Sequence, residues 1–168
     1  MPAMYDASVP TITRAMRNLI HVLEKGAAHA EAKKIEPSVL IGARLYPDMF
    51  PLSKQVQIVS DVGRIGTSRL AQVEAPKYED NEASFADLVE RLKKTIAYLE
   101  TLKPAQFDDG SRPVTFPTQN EPRTWPGSRY LFTRVLPNVF FHCATAYDIL
   151  RHNGVELGKA DFLGPLDG

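Results

Sequence analysis

Cysteine is almost absent from this chain: Cys143 stands alone among 168 residues. A lone thiol makes no intramolecular disulfide, which fits a reducing compartment. Net charge is absent too, since 20 Lys+Arg balance 20 Asp+Glu. With no basic field to displace counterions, no nucleic-acid partner is expected. No apolar run approaches the roughly 20 residues that span a bilayer, so no membrane partner is expected. The start, Met1 to Asp6, has neither the basic segment nor the apolar run of a secretion signal. Histidine is scarce, at four residues, which narrows the metal and acid–base chemistry available. The expectation is a cytoplasmic protein folded as a single domain over residues 1–168. A chain of this length buries roughly 70% of its unfolded surface and folds without disulfides or structural metal.

What is present is helical periodicity. Val9, Ile12, Met16, Leu19, Ile20, Leu23 and Ala27 recur at three- and four-residue intervals. Ser8 ahead of Pro10 predicts the start of this first helix, and Gly26 a possible end, with residues 27–34 as a short continuation. His21 and His29 are expected in solvent. A loop over residues 36–51 carries Leu45, Tyr46, Met49 and Phe50 and is expected to pack back on the helices. The second helix runs from about Leu52 to Leu70. Gln55 falls inside its apolar stripe, Asp61 on the far side, and Gly63 and Gly66 flank the stripe, permitting close approach of a neighbour.

Ser84 to Asp87 reads as a capping box opening the third helix, whose stripe is Phe85, Leu88, Leu92, Ile96, Leu99 and Leu102. Between Pro104 and Leu136 the chain is irregular, with Val114–Phe116 a possible strand pairing near Trp125 and residues 130–136 open between strand and helix. The fourth helix starts near Pro137 and stops at Asn153–Gly154. Its buried face is expected to hold Val139, Phe140, Cys143, Ala146, Tyr147 and Leu150, with His142 at one edge. Phe141 lies on the polar side and needs a cover, either a loop or a second subunit. The fold class is therefore all-α: a four-helix bundle with a short irregular or hairpin excursion between its third and fourth helices.

Three stretches carry a family likeness. They are Arg44 to Leu52 with Gln55, Val56 and Asp61; Ala75–Pro76 with Glu79 to Glu82; and Pro137 to His142, Ala146 to Arg151 and Asn153 to Gly164. Together they resemble an uncharacterised bacterial family, domain of unknown function 1993, of the DinB/YfiT-like superfamily. The resemblance implies a DinB-like bundle and a homodimer. In better-known members of the superfamily it implies a divalent metal held by three histidines, one from the second helix and a His-x-x-x-His pair from the fourth. Some of those members transfer low-molecular-weight thiols or isomerise thiol adducts. This chain departs from that pattern. Ala146 stands four residues after His142, the second helix has no histidine, and Gln55 is the candidate for the equivalent of its ligand position.

The candidate pocket residues are Gln55, His142, Tyr147, Arg44, Asp48 and Asn138. Gln55 either bonds His142 or a loop carbonyl, or both residues line a pocket and touch a ligand. His142 is a satisfied core imidazole, an acid–base group or a single metal ligand. Asp48 either caps the second helix or pairs with Arg44, or else orients His142 or supplies a carboxylate ligand; Asp48 or Asp61 would complete the shell of a weak metal site on His142. Tyr147 places its ring in the core and its hydroxyl on a partner, and Asn138 is a turn or cap residue. Cys143 is expected to be buried and inert, and the tail after Gly154 to be a packed strap. Three functions stay open: a bundle that binds an unknown small molecule, a weakly metal-dependent thiol transferase or isomerase, and a dimeric structural protein.

Overall fold

A computed structural model describes residues 4–166; the first three residues, part of the segment read above for a leader, lie outside the described residues. Four long helices dominate: α1 (Met4–Lys33), α3 (Leu52–Ala71), α4 (Phe85–Thr101) and α6 (Leu136–His152). Short elements join them: α2 (Pro37–Ile41), a 3₁₀ turn at Pro104–Gln106, the strands β1 (Pro113–Phe116) and β2 (Arg123–Pro126), α5 (Gly127–Tyr130) and, after α6, α7 (Lys159–Leu163). α3 packs between α4 and α6, and α1 closes the ring by packing on the same two helices. The all-α bundle expected from periodicity is present, and the excursion between its third and fourth long helices is an antiparallel hairpin pairing Val114 with Trp125.

The apolar stripes meet at the bundle axis, where Ile12, Met16, Leu23, Val56, Val59, Leu88, Leu92, Leu99, Val139 and Ile149 are buried. Close approach depends on α3's glycines. A Cβ on Gly63 would sit 2.5 Å from Met16 Cε, and one on Gly66 2.8 Å from Val135. The capping box forms as expected: Asp87 N donates to Ser84 Oγ and Ser84 N to Asp87 Oδ2.

Several boundaries differ from the sequence expectation. α1 is helical from Met4, so Ser8 is not its cap; its hydroxyl donates instead to the Met4 carbonyl at 2.6 Å. Pro10 is accommodated inside the helix because it and Asp6, whose carbonyl loses a donor, both face solvent. Gly26 does not end α1. It is buried where a Cβ would sit 3.1 Å from the Leu150 and Phe85 side chains, so a packing role replaces the terminating one. Residues 130–136 are helical, with one wide π turn at Leu131–Val135 linking α5 to α6. Phe140 is not in the core but 39% exposed, and Phe141 stands 59% exposed with no loop over it. Among the described residues no helix is long and apolar enough to cross a membrane.

Candidate functional site

Gln55 and His142 face each other across the α3–α6 contact. Gln55 sits in the first turn of α3, buried to 2% exposure because its stripe position points at α6. Its Nε2 donates to the Phe50 carbonyl at 2.9 Å, and its Oε1 lies 2.6 Å from His142 Nδ1. Both alternatives read from sequence, the imidazole and the loop carbonyl, are thus realised at once.

This arrangement assigns the proton. The Phe50 carbonyl only accepts, so the Gln55 amide nitrogen must face it and the amide oxygen must face the ring. His142 Nδ1 is then the donor, and the neutral ring carries its lone pair on Nε2. Burial lowers the His142 pKa below the ordinary imidazole value, so the ring is neutral near pH 7. Nε2 has no hydrogen-bond partner among the described residues. The Phe141 ring stands edge-on to the imidazole, centroids 5.1 Å apart. The site is a fixed acceptor beside an exposed aromatic.

The other candidates do not join this pair. Tyr147 lies five residues further on, about 140° around the helix, where its half-buried ring meets Phe162 of α7; its hydroxyl has no hydrogen bond among the described residues. Arg44 is exposed and donates to the Pro47 carbonyl. Asp48 neither caps α3 nor pairs with Arg44: Pro51 occupies the cap position and no side chain bonds there. Asn138 is half-buried in the first turn of α6. Cys143 is buried, and burial pushes its thiol up to about 12, so no thiolate forms near neutrality.

A three-histidine metal set does not fit these residues. The i+4 position that would complete the pair is Ala146, fully buried. Among the described residues no three of His, Cys, Asp and Glu come together as a metal would need. Asp61, the other carboxylate weighed for a metal shell, is taken up by two guanidiniums: it receives Arg64 Nη2 at 2.6 Å and Arg91 Nη2 at 2.8 Å.

Asp61 belongs to a charged cluster that sequence reading missed. Arg91, 4% exposed, also meets Asp80 at 3.0 Å, Glu82 at 2.8 Å and the Glu79 carbonyl. Gln57 donates to Glu82, and Arg64 stacks over Tyr78 at 4.2 Å. Burial pushes the Glu82 carboxyl up, but hydrogen bonds from Arg91 and Gln57 outweigh it and hold it below the ordinary value. The signal was available: Arg91 follows Leu88 by three residues, at the edge of the stripe, and an acidic run precedes the helix. The cluster fastens the 72–84 segment across α3 and α4.

Comparison with known proteins places the chain. A crystal structure of a DinB family member protein from Shewanella denitrificans superposes with a TM-score of 0.90 at 38% identity, covering 98% of this chain and 93% of that one. No curated protein matches. The family model described as "Domain of unknown function (DUF1993)" matches residues 4–163. This chain belongs to the DUF1993 family, and its fold is that of a DinB-like bundle.

Proposed function

We propose that the protein is a small-molecule-binding bundle in which His142 Nε2 accepts a hydrogen bond from an O–H or N–H of the ligand. The observation that carries this reading is the Phe50–Gln55–His142 chain, which spends Nδ1 internally and leaves the Nε2 lone pair without a partner among the described residues. An unconstrained surface histidine would not need a buried amide to hold its tautomer. Phe141 supplies an apolar edge beside the acceptor. The metal triad of the superfamily is degenerate in this reading, because one imidazole and one amide bonded to each other leave no multidentate site.

The test is a thermal-shift screen of small hydroxyl- and amide-bearing compounds against wild type, His142→Ala and Gln55→Ala, with metal content measured by plasma mass spectrometry. Compounds that stabilise wild type but neither variant support the reading. Equal stabilisation of all three proteins overturns it, as does about one equivalent of Zn, Ni or Fe that is lost in His142→Ala.

The exposure of Phe141 and Phe50, at 59% and 56%, favours a second proposal: a homodimer whose partner copy covers this patch.

A further inference from the structure

On a different side of α6 from His142, a cavity of about 190 Å³ opens between α1, α6 and α7. Its walls are Ala15, Leu19, Val22, Phe140, Cys143 and Phe162. Two observations define what fits. First, Asn18 and Arg14 on its border are turned to the strap that carries α7. Asn18 donates to the Phe162 carbonyl at 3.0 Å, and Arg14 reaches the carbonyls of Leu163 and Pro165. No carboxylate lines the space. A cation would lose its hydration for no counter-charge, and the positive group on the border, Arg14, is engaged by the strap carbonyls. Second, the size is right for a small ring, since an apolar cavity of about 150 Å³ takes up benzene.

The cavity also has a door. α7 is one short turn, held at its rim by Asp161 with His21 at 2.8 Å and Lys25 at 3.1 Å. Phe140 and Leu163, both lining the space, are 39% and 47% exposed and mark its mouth.

We infer that this cavity binds an uncharged, mainly apolar molecule about the size of a substituted benzene, with the α7 strap as its lid. The site is independent of the His142 acceptor and goes beyond the function proposed above. Cys143 is a neutral wall of it and takes no part in chemistry.

Toluene is the probe. Titrated into the full-length ¹⁵N-labelled protein, it should give saturable amide shifts confined to residues around the cavity on α1, α6 and α7. Ala15→Met fills the space from α1 and should weaken toluene binding about tenfold or more. Cys143→Met fills it from α6 and decides the matter if the first variant does not fold. His142→Ala should leave toluene affinity unchanged, which separates this inference from the His142 reading. Scattered or non-saturable shifts overturn it, as does unchanged affinity in the filled variants. An affinity that falls in His142→Ala would locate toluene at the other site and overturn it as well.

Discussion

At the scale of the residue, the tautomer of His142 is the sharpest consequence of the structure. Long-range ¹H–¹⁵N NMR should show the proton on Nδ1 in wild type and a shift toward the Nε2-protonated form in Gln55→Ala. A ring protonated on Nε2 in wild type would mean that Gln55 does not accept from it. The same ring sets a pH dependence. Its folded pKa is depressed by burial, so the unfolded chain takes up the proton first as pH falls. Stability from this residue is complete above the ordinary imidazole value of 6.5 and declines as pH drops from there through the folded one. His142→Asn should flatten that part of the stability–pH curve in urea titrations. Cys143 gives a second reading: with its thiol pushed up to about 12, alkylation by iodoacetamide should be slow near neutral pH and accelerate only in urea. Much of this was legible. A lone amide on an apolar stripe announced a buried hydrogen bond, and Cys143 announced its burial. Tyr147 was misplaced from the pair because a stripe is wide: residues 142 and 147 share a buried half of the helix yet face different neighbours.

At the scale of the element, the cluster around Arg91 welds the 72–84 segment to α3 and α4. Arg91→Met should cost about 3 kcal/mol in denaturant unfolding, the low end for breaking a buried ion pair, because Asp61 and Asp80 are 34% and 38% exposed and can rehydrate. A loss below about 0.5 kcal/mol would show that the cluster is no more than a surface pair. α7 is held differently. The Gly158 N–H first, then His21, and Lys25 after burial's small opposing effect, hold Asp161 down to about 2. Its contribution is present above the ordinary value of 3.8 and lost as pH falls toward about 2, so amide exchange in residues 158–163 should accelerate over that window before the long helices loosen. The long helices were readable because periodicity repeats, and the Ser84–Asp87 cap because its spacing is distinctive. Pro10 and Gly26 misled because both were taken as punctuation, whereas exposure excuses the first and packing against Leu150 explains the second. Arg91 was overlooked because charge at a stripe edge reads as solvated until its carboxylates, from a distant segment, are in view.

At the scale of the whole molecule, the open question is what covers α6. Sedimentation velocity at tens of micromolar should show a dimer that Phe141→Ser dissociates, while the melting temperature of the monomeric variant stays within a few degrees of that of the parent chain. A monomeric wild type would assign the exposed aromatics to something other than self-association. The bundle itself was legible from four stripes and their connecting turns, and the DUF1993 match and the Shewanella structure agree with it. The relation of α6 to α3 was not, because it passes through the wide turn at Leu131–Val135. That turn holds one residue more than an α-helical turn would. Because five residues there sweep about the angle that four sweep in an α-helix, the turn absorbs the extra residue, and taking it out would restore regular α-helix and leave the face after it almost where it is. His142 would still meet the Gln55 amide. A residue gained or lost at this turn is thus taken up locally, so the chain can change length there while the interior face of α6 keeps its neighbours.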